Sequence, residues 1–433
     1  MKICYIGAGS LFFESVSREI AEVPELHGAS IHMYDPDSER AAPIAAVCRR
    51  YSDHFQAGIT VKVCKTLEEA LDGANAVISS IGVHGPGQAW HDLDVKAVAE
   101  LGIMQTTGDT VGPTGVSQAL RSIPPYLELA GAMEKHCPDA PLLNHSNPMG
   151  IICRAVLKHS RIRIIGYCHS AAIAVKRFGR MMGIDPGELD PVVAGVNHSV
   201  WLLSLRHQGK DVYPLLRETL RKQESHVDRE FTMELLELSG LYLMGGDRHV
   251  IEFFPHARRP SSPENMEYGL KWRSNMINER MLDKELSVKA SSFARRASGA
   301  DPLDLPGIST PEAMGRQIQA LTYGPDMPHL VNVANAGAIP NAPDWAVLEM
   351  KCIIGQHGAK PVHAMELPPF AARWTLAQIY ANELIIEAAV EGSRQKAIAA
   401  LACDPMVRDL QEAERVLDAL VSAQGDRLAP FRK

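Results

Sequence analysis

The stretch from Met1 to Asp35 constrains the chain most. Lys2-Ile3-Cys4-Tyr5-Ile6 is a short apolar run with β-branched residues, and Gly7-Ala8-Gly9-Ser10 follows at once. From Leu11 to Val23 apolar residues recur at helical spacing, and a second apolar run, Ile31-His32-Met33-Tyr34, ends at Asp35. Strand, glycine turn, helix, strand and acidic residue is the order of a dinucleotide-binding βαβ unit. Gly7 permits the tight turn, and Gly9 lets the backbone approach a pyrophosphate. The helix N-terminus beyond Ser10 offers free N–H groups and a positive dipole end to the phosphates. Asp35 sits where a carboxylate accepts hydrogen bonds from a ribose 2′-OH, which favours NAD over NADP. Phe12 stands where such units carry their third glycine, so the helix is expected to pack less closely on the strand. A plain parallel-sheet turn without ligand is the competing reading.

Composition excludes several classes. The net charge of −7 disfavours nucleic acid or an anionic membrane as main partner. No run of about 18 apolar residues is present, so no spanning helix is expected. The N-terminus lacks the pattern of a secretory signal, and a cytoplasmic location is expected. The eight cysteines are scattered without a C-x-x-C pair, which reads as reduced thiols rather than a disulfide framework.

Beyond Asp35 the βα rhythm continues. Ser38 to Ser52 reads as a helix, Thr60 to Val63 as a strand, and Thr66 caps a helix over Leu67 to Leu71. Ala76 to Ile81 is a buried strand that runs into the glycine-rich stretch Gly82 to Gly87. Loops after strand carboxyl ends line the ligand crevice of an open α/β sheet, so Ser79 and Gly82 are assigned to the cofactor crevice. Thr106 to Gly115 is dense in glycine and small polar residues. Pro141 to Asn144 is a strand that meets Asn147-Pro148, and Ile162 to Tyr167 is a strand that ends at Cys168-His169-Ser170. Successive strand ends thus deliver Asp109, then Asn147, then Cys168 and His169. The rhythm weakens near Asp190. Val192 to Arg206 reads as one long extended stretch, Asp211 to Leu238 and Arg258 to Asp301 as largely helical, and the chain beyond Pro368 as helical again. The fold class is therefore α/β. A Rossmann-type doubly wound parallel sheet is expected over residues 1–190. A mixed α/β domain for substrate, metal and oligomerisation is expected over 191–433.

Gly7-Ala8-Gly9-Ser10, Gly108-Asp109-Thr110-Val111-Gly112-Pro113, Asn147-Pro148, Cys168-His169-Ser170, Asn197-His198 and Gly246-Asp247-Arg248-His249 occur in this order. Together they resemble glycoside hydrolase family four, the NAD- and metal-dependent glycosidases, over nearly the whole chain. The resemblance implies that Cys168 and His198 hold a divalent metal, usually manganese, in an open site completed by water and substrate hydroxyls. It implies an oxidoreductive mechanism: hydride leaves sugar C3 for NAD⁺, a base removes the acidified C2 proton, the C1 leaving group departs, water adds and the hydride returns. Such enzymes are exceptions to the two-carboxylate rule of glycoside hydrolysis.

The family position of the C2 base falls on Asp247, with Tyr242 as the tyrosine alternative. His169 is the candidate to protonate the leaving group, since histidine titrates near neutrality; orienting Cys168 or the substrate is its other reading. By family position Asp109 and Asn147 bind sugar hydroxyls or the nicotinamide end, although Asp109 also reads as a turn-stabilising residue. His169 stands where phospho-glycosidase subgroups carry asparagine or aspartate, which points to non-phosphorylated α-glycosides. The motifs are similar to α-galacturonidase members, with α-glucosides and α-galactosides next. Arg248 either pairs with a C6 carboxylate or orients Asp247. A homodimer or homotetramer is expected. Two rivals remain. One is a 2-hydroxyacid dehydrogenase of the malate or lactate type, which shares the βαβ start; the other is an NAD-binding regulator without turnover.

Overall fold

The computed structural model describes residues 1–82, 88–223, 228–254, 257, 266–305 and 313–433. The glycine-rich stretch expected after Gly82, and the start of the helical region expected from Arg258, fall largely outside them. Six strands reproduce the anticipated βα rhythm: β1 (Lys2–Ile6), β2 (Ser30–Tyr34), β3 (Thr60–Val63), β4 (Ala76–Ser79), β5 (Leu142–Asn144) and β6 (Ile164–Gly166). They pair in parallel in the order β3-β2-β1-β4-β5-β6. That is the dinucleotide-binding order, and its direction reverses between β1 and β4, where the crevice for a ligand opens. Helices cover both faces, so β4 and β5 are buried along their whole length and read as unbroken apolar runs.

The helix after the glycine turn, Phe12–Ala21, contacts β1 through Phe13, whose ring stacks on Tyr5 at 4.3 Å. The Phe12 ring instead lies against His145, 4.1 Å between centroids. A phenylalanine in place of the third glycine is thus accommodated at the mouth of the crevice.

The sheet does not stop at β6. It continues through antiparallel strands β7 (Leu189–Val196), β8 (Ser199–His207), β9 (Lys210–Asp211), β10 (Tyr242–Leu243), β11 (Met327–Ala334), β12 (Val347–Gly355) and β13 (Gly358–Pro361). From β6 the order runs β11-β12-β7-β8-β10, with β13 on β12 and β9 on β8. The single extended stretch expected over Val192 to Arg206 is therefore a hairpin, β7 and β8, that turns at Asn197-His198. Two-residue hairpin turns need positive φ and are usually signalled by glycine. Here His198 itself adopts φ 68°. A side chain held in that region costs free energy and accompanies functional constraint.

The C-terminal helices return to the first half of the chain. Helices Pro369–Glu391, Arg394–Ala402 and Leu410–Gln424 bury Ile386, Leu401 and Leu417 against Val98, Val116 and Ile123. A buried polar knot lies at the same seam: Asp94 accepts from Arg121 Nη1 at 2.8 Å and from Gln424 Nε2 at 2.7 Å.

Candidate active site

The glycine turn is built as its residue types require. Gly7 has φ 76°, and a Cβ there would stand 2.5 Å from the Ser80 carbonyl oxygen. The Gly9 N–H donates to Asp35 Oδ2 at 2.9 Å, which places the carboxylate at the end of β2 directly against the turn. Asp35 Oδ1 accepts from the Asp37 N–H at 3.0 Å. A carboxylate offers about four acceptor sites, so capacity for ribose hydroxyls remains. Ser10 Oγ accepts from Ser80 Oγ at 2.9 Å. Ser79 does not face this crevice. Its buried hydroxyl donates to Asn144 Oδ1 at 3.3 Å and accepts from the Tyr126 hydroxyl at 3.2 Å. Alternation along the strand turns residue 79 inward and brings Ser80 to the glycine turn. Gly82 is exposed, with open space around its Cα.

A polar path leads from the turn toward a second cluster. Ser146 Oγ donates to the Ile81 carbonyl at 3.0 Å, and Asn147 Nδ2 donates to Asp109 Oδ2 at 3.3 Å. Asp109 is the centre of that cluster. Its Oδ1 lies 3.4 Å from His249 Nδ1 and 3.8 Å from His198 Nδ1. Thr110 Oγ1 donates to Asp109 Oδ1 at 2.9 Å and contacts His198 Nδ1 at 2.8 Å. The two imidazole rings stand 4.4 Å apart. Burial, followed by the neighbouring His249, pushes the His198 pKa down to about 3, so this ring is neutral at physiological pH and has a lone pair to offer. Burial also works against a charge on His249. There the Asp109 carboxylate outweighs it and raises the pKa above the ordinary histidine value.

Two buried carboxylates hold the frame of the cluster. Glu252 accepts from the backbone N–H groups of Thr106 at 2.7 Å, Thr107 at 2.9 Å and Gly108 at 3.0 Å, and so shapes the loop that presents Asp109. Glu349, on β12, accepts from Asn197 Nδ2 at 3.1 Å and Asn332 Nδ2 at 3.3 Å. It thereby anchors the turn that carries His198. Gly245 completes the packing, since a Cβ there would lie 2.7 Å from the His198 carbonyl oxygen.

The remaining expected residues divide. Cys168 precedes helix His169–Met182, with its thiol buried near Glu349 and Asn197; burial, then the Glu349 charge, pushes its pKa up to about 12. His169 is exposed at the first position of that helix, and its charge acts on His198. Arg248 is exposed, while its carbonyl oxygen accepts from the Thr106 and Thr107 hydroxyls at 2.6 and 3.1 Å. Tyr242 is buried in an apolar cluster, edge-on to Phe178 at 5.1 Å, and its hydroxyl accepts from Arg177. Asp247 departs from the expected base position. Its Oδ2 accepts from the Phe231 N–H at 2.7 Å, and its Oδ1 accepts from the Thr232 N–H and hydroxyl at 3.0 and 2.6 Å. These are the first N–H groups of helix Glu230–Ser239, so the fully buried carboxylate is consumed as a cap.

Residues 2–184 match the Family 4 glycosyl hydrolase description, and residues 193–407 match the Family 4 glycosyl hydrolase C-terminal domain. The chain belongs to the family 4 glycosyl hydrolases. It is 28% identical to an α-galactosidase of Bacillus subtilis (strain 168), over 100% of each protein. It is also 28% identical to an α-galacturonidase of Thermoanaerobacterium saccharolyticum (strain DSM 8691 / JW/SL-YS485), covering 97% of this chain and 94% of that one. A 6-phospho-α-glucosidase from gut microorganisms, solved in complex with NAD and Mn²⁺, has the same fold, with TM-score 0.82 and 21% identity over 98% of both chains. Among the described residues of this family 4 hydrolase, no helix is long and apolar enough to cross a membrane.

The capping role of Asp247 has a measurable consequence for the hydrolase. Asp247→Ala removes acceptors from two backbone N–H groups and a hydroxyl, all buried. The expected loss is about 2 kcal/mol of stability. A thermal melt should fall by a few degrees, while the folded fraction keeps its turnover. An unchanged melt with abolished turnover would return Asp247 to the chemistry.

Proposed function

We propose that this family 4 hydrolase cleaves non-phosphorylated α-glycosides, α-galacturonides first and α-galactosides or α-glucosides next, using bound NAD and a divalent cation, manganese above others. The single observation that carries the reading is the polar path from the glycine turn to the Asp109–His198–His249 cluster. It joins a dinucleotide cradle to a group of oxygen and nitrogen donors at one end of the parallel sheet. The donor set fits the cation: imidazole and carboxylate both ligate divalent first-row metals, and His198 is held neutral. When bound, NAD⁺ supplies a hydride acceptor, and the cation supplies a Lewis acid for a sugar oxygen.

The chain's own residues take the following parts. Gly7, Gly9, Ser10 and Asp35 form the dinucleotide cradle, with Ser80 beside them. Cys168 and His198 hold the cation by family position. Asn147, between cradle and cluster, and Asp109, within the cluster, orient sugar hydroxyls or the nicotinamide end. His169, exposed beside His198, delivers a proton to the departing oxygen. Tyr242 takes the role of C2 base by family position in this reading, with Asp247 capping its helix. Burial raises the phenol pKa, and the adjacent Arg177 works against that rise.

The preference for uronides draws on two cations. Arg248 is exposed, and the charges of Arg248 and Asp109 both act on the buried Arg273, whose Nε has no hydrogen-bond partner among the described residues. Two guanidinium groups suit a C6 carboxylate. A division into a dinucleotide unit, residues 1–190, and a substrate and assembly unit, residues 191–433, belongs to the same reading, as do a cytoplasmic location and a homodimer or homotetramer. The test is a panel of α-galacturonide, α-galactoside, α-glucoside and their 6-phospho forms, offered to protein stripped of nucleotide and metal. Hydrolysis restored only by NAD⁺ and Mn²⁺ together supports the proposal. NADH accumulation from a 2-hydroxy acid, with no glycoside cleaved, would favour the malate-type reading.

A further inference from the structure

We propose that Asp109 and His249 join Cys168 and His198 as ligands of the divalent cation, so that this chain grips its metal with two imidazoles and a carboxylate beside the thiolate. The inference rests on the metal-dependent reading above and adds two ligands to the Cys168–His198 pair of the family pattern. Asp109, His198 and His249 come from three separate segments: the loop before helix Gly112–His136, the β7–β8 turn and the short helix Asp247–Val250. One ligand atom from each lies within 4.8 Å of the others, and Cys168 is outside this group.

The Asp109–His249 contact is long for a direct hydrogen bond and suitable for a shared ion. The 3.4 Å separation of His249 Nδ1 from Asp109 Oδ1 exceeds the usual N–H···O range. Ligands about 2.1 Å from a common cation stand about 3.0–3.5 Å apart at octahedral or tetrahedral angles. His249 Nδ1 is buried, and its contact with Asp109 Oδ1 is too long to satisfy it fully. A cation between the two would satisfy both.

The supporting groups are arranged as metal ligands require. Thr110 donates its proton to Asp109 Oδ1 and must accept at its contact with His198 Nδ1. That places the His198 proton on Nδ1 and leaves Nε2 with a lone pair, the usual way an outer group fixes a ligand's tautomer. Asn147 holds the other oxygen of Asp109. Together with Cys168, two histidines and one carboxylate still leave positions of an octahedral site open for substrate hydroxyls and water.

The test is equilibrium binding of Mn²⁺ to the EDTA-stripped full chain, read from the electron paramagnetic resonance signal of the free ion. His249→Gln, which keeps side-chain bulk, and Asp109→Asn should each weaken Mn²⁺ binding about 10- to 100-fold. NAD⁺ binding and the thermal melt should stay at wild-type values. Pulsed measurements on the Mn²⁺-loaded wild type should detect nitrogen coupling from two imidazoles, and from one in His249→Gln. Undiminished affinity in both variants overturns the ligand assignment and leaves the functional reading standing. Wild-type protein that takes up no Mn²⁺ overturns both.

Discussion

Replacement of His198 by glycine is expected to abolish metal-dependent turnover while sparing the fold. The imidazole is neutral, with its pKa pushed down to about 3, and it contacts Thr110 and the ring of His249. Its removal should weaken Mn²⁺ binding by at least about 100-fold. Without the cation about 4 kcal/mol of transition-state stabilisation is lost, which corresponds to about a thousandfold in kcat/KM. Glycine is the informative substitute because position 198 has φ 68°, where glycine is unstrained and alanine is not. The variant should therefore bind NAD⁺ as the wild type does and melt close to it. Binding of Mn²⁺ and turnover both at wild-type levels would remove His198 from the metal site.

The largest effect on stability is expected at Glu252. Its carboxylate is buried and receives three successive backbone N–H groups, from Thr106, Thr107 and Gly108. Burial raises its pKa above the ordinary carboxylate value, and the N–H groups of Thr107 and Gly108 work against that rise. In Glu252→Ala no acceptor remains, so the three buried N–H groups go unpaired. At about 1–3 kcal/mol for each unpaired group, a total of about 3 kcal/mol is expected. For a chain of this size that lowers the melting temperature by about 3 °C. Because the same loop presents Asp109, Mn²⁺ affinity should fall in parallel. Calorimetry and metal titration on one preparation check both. A melt and affinity equal to wild type would show that the loop holds its shape without Glu252.

The parts of the molecule that were legible in the sequence are those governed by local rules. The glycine turn, the strand that ends in Asp35 and the Thr66 cap, which accepts from the Glu69 N–H at 3.2 Å, are each set by neighbours within one element or turn. Strand ends could be read as site-bearing because a parallel sheet forces its loops to one edge, and Asp109, Asn147, Cys168 and His169 were read that way, whereas His198 entered only through the family resemblance. Glu252 was not, since its partners Thr106, Thr107 and Gly108 are about 145 residues away along the chain. Glu349 was hidden for the same reason: β12 meets β7 only in the folded sheet. His249 was visible within Gly246-Asp247-Arg248-His249, but nothing in that order tells which side chain points at His198. The cap made by Asp247 was hidden because it reaches back 16 residues to Phe231, whereas sequence signals for capping operate over three. The β7–β8 turn escaped notice because it uses Asn197-His198 without glycine.

The measurement that tests the central claim most directly is proton NMR of the reaction run in D₂O, with NAD⁺, Mn²⁺ and a reductant. The α-galacturonide is offered first, followed by the α-galactoside and α-glucoside. Removal of the C2 proton by a base in exchange with solvent puts deuterium at C2 of the released sugar, and the account predicts that label with no accumulation of NADH. Sugar released with protium retained at C2 would contradict it, because cleavage would then proceed without the elimination step that the dinucleotide cradle and the histidine cluster are joined to perform.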